Sequence, residues 1–302
     1  MVASLRRALE RVLTFVRLSG IAAWRSFVRF YNSNDLTHAS SIAYFGLLSF
    51  FPLLLLALNL LGQVAGSEAD RAAVLNFVFR YFPRQLDFVT NQLDALERWP
   101  VTLSVASTLL LVWASLGVFG AITTAVNDAW GVEKHPNYLE HKLVSLLMLV
   151  AASALLLLAL LVVTVAGVVR ASWFAAVVEQ RPGLAVLGGV AFRWSSTLLL
   201  MFVVGLIFYF VPNTKVRLRD VWPGAILTGL LWRGALLGFS WYVRDLGRFS
   251  VHGSIATVVV FLLWVYVSAV ILLYGVEFTA AFAELLGDRA AARREQQAVT
   301  PT

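Results

Sequence analysis

Residues Ser254–Val276 read SIATVVVFLLWVYVSAVILLYGV, a run of 23 residues without Asp, Glu, Lys or Arg. A helix needs about 20 mostly apolar residues to cross the roughly 30 Å of hydrocarbon in a bilayer. The run meets that requirement and closes at Glu277. It therefore predicts a membrane-spanning helix and sets the class of fold to look for elsewhere in the chain.

The composition of the whole chain agrees with this prediction. Of its 302 residues, 60% are hydrophobic and 14% are charged, and the mean hydropathy is +0.79. Soluble domains are about 45–50% apolar and about 25% charged. The composition excludes soluble globular, disordered, collagenous and disulfide-rich secreted proteins, and it leaves an integral membrane protein.

Five further apolar runs precede the one at Ser254–Val276, which gives six predicted spans. The fourth carries Arg193 near its start, the fifth carries Arg233 near its middle, and these two are the least regular. The five runs are 39–61, 101–123, 143–169, 190–211 and 221–243. The predicted fold class is all-α, a polytopic membrane protein with six transmembrane helices plus amphipathic surface helices.

The placement of Lys and Arg predicts the orientation, because cytoplasmic loops carry an excess of them. With both termini inside, 14 basic residues fall on the cytoplasmic side and eight on the outer side. We therefore predict a multi-pass membrane protein with both termini in the cytoplasm.

Three parts of the chain follow from this topology. Residues 1–38 form a cytoplasmic arm, in which interspersed arginines and apolar residues predict a basic amphipathic helix on the membrane surface, with a poorly ordered arm as the alternative. Residues 39–285 form the transmembrane domain, whose extracytoplasmic loop 62–100 has amphipathic helical spacing. Residues 286–302 are polar and Ala-rich and are expected to be a flexible cytoplasmic tail.

The charge and the residue inventory indicate lipid rather than nucleic acid as the partner. The net charge of +7 is spread over short segments that flank apolar runs, which is typical of contact with an anionic membrane surface. The chain has no cysteine, its four histidines form no metal-type pair, and it carries no nucleotide-binding or hydrolase motif. We expect no catalytic residues, no metal and no cofactor, and the oligomeric state stays open.

Ionisable residues inside a membrane are costly, so each is a candidate functional residue. Arg233 could bind an anionic ligand, pair with an internal carboxylate, or extend to an interface. Arg193 lies near the start of its span, so its side chain is better explained as extending to the nearby membrane–water interface. Asp128 and Glu277 lie at span ends, where either could pair with an arginine.

Two spans also carry stripes of small and polar residues at helical spacing. They could line a substrate pathway, or they could only pack helices together, which is the explanation we favour for Gly117, Gly120 and Thr124 and for the Gly234–Gly238 pair. The first-span stripe consists of Ser41, Pro52 and Asn59 beside Tyr44 and Gly62, and the sixth-span stripe of Thr257, Trp264, Ser268 and Gly275.

Several short motifs resemble the YihY/BrkB family of bacterial inner-membrane proteins, once named for ribonuclease BN. The similarity covers about residues 30–285 and is densest in the C-terminal third. The motifs are Ala43-Tyr44 through Ser49 and Pro52, Ala125-Val126-Asn127-Asp128-Ala129-Trp130-Gly131, Val211-Pro212-Asn213, Asp220-Val221-Trp222-Pro223-Gly224-Ala225, Trp241-Tyr242, Gly253-Ser254-Ile255-Ala256-Thr257, Leu263-Trp264-Val265-Tyr266 and Gly275-Val276-Glu277.

The resemblance implies a six-helix membrane protein linked to virulence through serum resistance, with proposed roles in lipid export or flipping. This chain departs from the family pattern at His252, where many relatives have tyrosine, and at Arg233, where relatives often have an acidic residue. It also lacks the histidine-rich metal cluster of zinc-dependent tRNA-processing nucleases, so we do not expect ribonuclease activity. Two functions stay open: a transporter, flippase or exporter of an anionic lipid or amphiphile, and a non-transporting membrane scaffold or assembly factor.

Overall fold

The computed structural model describes residues 2–64, 105–132, 182–246 and 254–299, together with five residues between 143 and 150. For some stretches within these ranges, 51–64 among them, only the backbone is described. Every regular element in this part of the chain is a helix, so the all-α prediction is confirmed. The helices are α1 (Val2–Asn32), α2 (Asp35–Val64), α3 (Val105–Ala129), α4 (Pro182–Phe210), α5 (Leu218–Leu246) and α6 (Ser254–Val299).

Five of the six predicted spans coincide with helices α2 to α6. Among the described residues, Leu109–Ala129 and Val258–Asp288 are long and apolar enough to cross a membrane by length and composition, and Thr197–Phe210 is a shorter apolar helix. Most of the third predicted span and most of loop 62–100 lie outside the described residues. The count of six spans therefore stays a prediction.

The buried core brings helices α2 to α6 together. α2 packs along α3, α4 packs along α5, and α6 contacts α1, α2 and α5. The centre of the core contains Val126, Phe208, Val221 and Leu273, which are at most 2% exposed. Large apolar side chains also cover the outer surface, including Leu109 and Leu237 at 64% and 70% exposure. A surface of this kind is what lipid contact requires and what water disfavours.

Helix α1 confirms the helix predicted in the N-terminal arm and shows what it packs against. Leu18 and Ala22 are buried against Phe278 and Phe282 of α6. The ring of Phe15 meets that of Phe282 edge-on at 5.6 Å between centroids. One face of α1 is therefore part of the protein interior, and only the opposite face is left to contact a membrane surface.

Helix α6 extends well beyond its predicted span. It contains 46 residues and ends at Val299, so its backbone is helical through most of the segment that we expected to be a flexible tail. At 1.5 Å per residue the helix is about 69 Å long, roughly twice the hydrocarbon thickness. The C-terminal part of α6 supplies Phe278 and Phe282, to which α1 is attached.

Helices α5 and α6 approach each other closely through two glycines and two threonines. A Cβ added at Gly224 would collide with the Thr279 hydroxyl, and one added at Gly275 would collide with the Thr228 hydroxyl. Each threonine hydroxyl donates to the carbonyl of the glycine four residues earlier in its own helix, at 2.8 Å for Thr228 and 2.7 Å for Thr279. The reciprocal arrangement lets both backbones approach within the bundle.

The glycines that the sequence suggested for packing divide into two groups. Gly117 of α3 does pack, since a Cβ there would lie 2.5 Å from the ring of Phe45 in α2. The Gly234–Gly238 prediction is wrong for the described part of the chain, where a Cβ at either position meets nothing within 4 Å. The two glycines lie on a face of α5 turned away from the described helices, and the spacing alone could not indicate which face that is.

Candidate functional site

A layer of polar side chains crosses one end of the helix bundle. We call it the polar layer; it consists of Asp35, His38, Asn127, Asp128 and Glu277. The layer forms because α2 begins and α3 ends at this end of the bundle, and because α6 runs past the same end, where it contacts α1. Three of its members, Asp35, Asn127 and Glu277, are only 3–4% exposed.

Asn127 holds the end of α3 to the segment that follows α4. Its Oδ1 accepts a 2.8 Å hydrogen bond from the backbone N–H of Asn213, and its Nδ2 donates to the carbonyl of Thr123 at 2.9 Å. The chain then turns at Gly131, whose φ of 63° lies in the left-handed region that favours glycine. The motif around Asn127 thus joins two helix ends.

Among the described residues, Asp128 contacts α2 and not an arginine. Its Oδ2 lies 3.3 Å from Nε2 of His38, with Asp128 partly exposed and His38 largely buried. The histidine that sequence reasoning left without a role is therefore the neighbour of this carboxylate across the α2–α3 contact. Neither Asp128 nor Glu277 forms an ion pair with Arg233 in the part of the chain that the structure describes.

Glu277 lies beside a second carboxyl group that the sequence analysis missed, that of Asp35. The two carboxyl groups are close enough to act on each other electrostatically, and Arg29 of α1 acts on Glu277 in the same way. Asp35 Oδ2 also accepts a 2.6 Å hydrogen bond from the hydroxyl of Ser33. Burial raises the pKa of Asp35 above its usual value, against the opposing effect of the Ser33 hydrogen bond.

Arg29 is engaged on the other side by Glu284. Its two terminal nitrogens donate to the two carboxylate oxygens at 3.0 and 2.6 Å, a bidentate pair that raises the pKa of Arg29. Both side chains are well exposed, so this pair contributes at most about 1 kcal/mol. It joins α1 to α6 next to the polar layer.

Arg233 lies apart from the polar layer, at the contact between α4 and α5. Its Nη1 donates to Oγ1 of Thr197 at 3.1 Å, and its guanidinium carbon lies 4.2 Å from the centre of the Trp194 ring. Arg233 is 15 residues from the start of α5 and 13 from its end, or about 20 Å from either. Thr197 is equally far from both ends of α4, so the guanidinium is held at mid-helix instead of extending to an interface.

The two contacts account for how a charge can be kept at that depth. Placing Arg at the centre of a membrane helix costs about 2.5–3.5 kcal/mol on insertion scales. A hydrogen bond to a charged group contributes about 1.5–3 kcal/mol, and a cation–π contact about 0.5–2 kcal/mol. These contributions offset the cost, yet the hydrogen bond to Thr197 uses only one of five guanidinium N–H donors among the described residues.

The sixth-span stripe faces protein. Trp264 is 2% exposed and packs against Trp232 and Phe239 of α5, with ring centroids 5.9 and 5.1 Å away. Ser268 is 8% exposed, and its hydroxyl has no hydrogen-bond partner among the described residues. For Trp264 and Gly275 the structure therefore shows the packing alternative. The side chain of Thr257 is outside the described residues.

The first-span stripe is less uniform. The Ser41 hydroxyl donates to the carbonyl of Thr37 in its own helix at 3.1 Å, and Tyr44 is 56% exposed. The side chains of Pro52, Asn59 and Arg193 lie outside the described residues, although the backbone at all three positions is helical. The described members of the stripe do not converge on the polar layer or on Arg233.

The architecture and its apolar surface define a helical membrane protein. The family model described as "Virulence factor BrkB" matches residues 26–300, and the chain belongs to this family. The match includes the polar layer, Arg233 and all of α6. The resemblance noted from the sequence motifs is thereby confirmed.

Curated relatives carry only general names. A UPF0761 membrane protein of Alkalilimnicola ehrlichii is 29% identical over 84% of this chain, which spans 56% of that relative's length. A putative ribonuclease-like protein, YfkH, of Bacillus subtilis is 28% identical over 84% of this chain and 92% of its own. A UPF0761 membrane protein of Aggregatibacter aphrophilus is 23% identical over 88% of this chain and 95% of its own. No solved structure matches.

The ribonuclease-like name belongs to the Bacillus subtilis protein, and nothing in the described site supports its transfer to this chain. Metal-dependent nucleases need a cluster of metal ligands. Among the described residues no group of three His, Asp or Glu side chains could hold a metal ion. His135 and His141 lie outside the described residues.

Proposed function

We propose that this chain is a multi-pass protein of the bacterial inner membrane that moves an anionic lipid or amphiphile between leaflets or out of the cell. In this proposal it has six spans, both termini are cytoplasmic, and the polar layer lies at the cytoplasmic end. The observation that carries the proposal is the half-buried Arg233, held at mid-helix with most of its donors free of described partners.

The chemistry of the guanidinium selects the class of substrate. Arginine is charged at every physiological pH and presents a planar set of donors that matches phosphate and carboxylate oxygens. Exposed apolar neighbours, Leu198 at 58% and Leu230 at 47%, flank it on the outer surface of α4 and α5. An acidic headgroup with acyl chains fits both features, because the headgroup meets Arg233 while the chains stay in the lipid.

Lipid transfer in proteoliposomes tests the proposal. Reconstituted wild-type protein is expected to translocate a fluorescent phosphatidylglycerol faster than a matched phosphatidylcholine. Arg233→Gln is expected to slow phosphatidylglycerol transfer roughly 10- to 100-fold, the equivalent of about 1.5–3 kcal/mol for lost charged hydrogen bonds. Arg217→Gln removes an exposed arginine just before α5 and is the matched control, with transfer expected at the wild-type rate.

A second candidate function is a non-transporting scaffold. The reciprocal contact of Gly224 with Thr279 and of Gly275 with Thr228 favours it, because that contact fixes α5 against α6. Wild-type protein that is folded and reconstituted but moves neither lipid faster than protein-free liposomes would favour the scaffold. Equal phosphatidylglycerol transfer by wild type and Arg233→Gln would remove Arg233 from the pathway.

A further inference from the structure

The most unusual buried feature outside the Arg233 region is the pair of acids Asp35 and Glu277. They belong to different helices, α2 and α6, and are 3% and 4% exposed. Glu277 Oε2 is fully buried and has no hydrogen-bond partner among the described residues. A buried carboxylate oxygen without a partner is costly, and two adjacent carboxylates both carrying charge are costlier still.

The groups around the pair do not supply enough positive charge to neutralise it. Arg29 of α1 faces Glu277 but is already paired with Glu284 of α6. On the other side, His38 of α2 and Asp128 of α3 face Asp35, and these two contact each other. A further buried acid, Asp220, lies in the first turn of α5 at the same end of the bundle, is 7% exposed, and has Nε of the exposed Arg219 3.9 Å away. The described residues of α4 place no charged side chain at this end.

A single proton resolves this arrangement. If one carboxyl is protonated, its O–H donates to the other carboxylate, and the pair carries one negative charge instead of two. A hydrogen bond between Asp35 and Glu277 would need such a proton, since two ionised carboxylates can only accept. The raised pKa of Asp35 is in keeping with this arrangement.

We propose that Asp35 and Glu277 form a proton-binding site at the contact of α1, α2 and α6, where they hold one proton between them. Uptake converts two carboxylates and one proton into a hydrogen-bonded acid–carboxylate pair, and release returns the proton to water. The inference is independent of the proposed lipid transport. It makes the contact between α2 and α6 sensitive to pH, because release leaves two repelling charges in it.

Infrared spectroscopy of the purified full-length protein tests the proposal directly. Wild-type protein at about pH 7, where ordinary Asp and Glu side chains are ionised, is expected to show the C=O band of a protonated carboxyl group. The band should disappear as the pH rises. It should be absent from Glu277→Gln and from Asp35→Asn, because each leaves a single acid that can ionise beside a neutral amide. Asp288→Asn, which alters an exposed acid of the same helix, is the control and should keep the band.

The pH dependence of thermal stability gives a second measurement. A carboxyl group with a raised pKa binds more protons in the folded state, so stability falls as the pH rises through that pKa. Wild-type Tm is expected to fall by several degrees between about pH 5 and about pH 9. Glu277→Gln should flatten this part of the profile.

Three results would overturn the proposal. One is the absence of a protonated carboxyl band from wild-type protein at neutral pH. This result contradicts the proposal even if every variant misfolds. Another is a band that persists in both Glu277→Gln and Asp35→Asn. The third is a Tm that rises with sodium chloride but not with choline chloride at fixed pH and is unaffected by protons, since that would make the pair a sodium site.

Discussion

Replacing Gly224 by alanine tests whether α5 and α6 pack as closely as the structure shows. The added Cβ would overlap the hydroxyl of Thr279 and would lie 3.1 Å from the carbonyl oxygen of Gly275. Thr279 is fully buried and its hydroxyl is bonded within α6, so it has little freedom to move aside. Overpacking of this kind costs about 1–3 kcal/mol.

The expected change in thermal stability follows from that cost. With an unfolding entropy of about 2.1 cal/mol/K per residue, 1 kcal/mol shifts the Tm of a 302-residue chain by roughly 1.5 °C. Gly224→Ala is therefore expected to lower the Tm of the detergent-solubilised protein by roughly 3 °C for a cost of about 2 kcal/mol. The measurement is a thermal unfolding curve, which dye-free fluorescence of the tryptophans can report.

The same helix provides a matched control. Gly234→Ala makes an identical chemical change ten residues later in α5, where a Cβ meets nothing within 4 Å. It should leave Tm unchanged or raise it slightly, since alanine favours helix over glycine by about 0.8–1 kcal/mol. The double change Gly224→Ala with Thr279→Ala removes the colliding hydroxyl and should recover part of the loss. Equal Tm values for Gly224→Ala and Gly234→Ala would refute the close approach of the two helices.

Two further predictions concern the polar layer and the topology. Asn127→Ala leaves the backbone N–H of Asn213 without its buried acceptor and should lower the free energy of unfolding by about 1–3 kcal/mol. Asn213→Ala keeps that backbone N–H group and should have little effect on Tm. Equal losses of stability in the two variants would contradict the hydrogen bond between Asn127 and Asn213. Because the chain has no cysteine, single cysteines can be labelled selectively. Thr90→Cys should react with a membrane-impermeant maleimide added outside intact cells, whereas Gln297→Cys should react only after the cells are permeabilised. The reverse pattern would overturn the predicted topology.

The sequence predicted the helices well for a physical reason. Apolar runs of membrane-crossing length form helices because no water is present to satisfy the backbone, and this requirement is local to each segment. The helices α2, α5 and α6 accordingly cover the runs that predicted them, and α3 and α4 cover nearly all of theirs. The amphipathic pattern of α1 likewise predicted a helix, although not that α6 would cover one of its faces.

The candidate site was predicted only in part. Asp128, Glu277 and Arg233 stood out as ionisable residues within or beside apolar runs, but their partners did not. Asp35 lay just before the first run and was overlooked. Its signal was the Ser33-Asn34-Asp35 sequence, since serine, asparagine and aspartate are typical of a helix start.

By itself, the sequence determined the class of the protein, its family motifs and where apolar helices occur, because these depend on composition and on spacing along the chain. Only the tertiary structure decided which residues meet: Asp35 with Glu277, His38 with Asp128, and Arg233 with Thr197 and Trp194. It also decided that Gly224 and Gly275 pack closely, whereas Gly234 and Gly238 have no close neighbour among the described residues. The reason is that a helix presents several faces with similar patterns of small and polar residues, and which face is buried depends on the neighbouring helices.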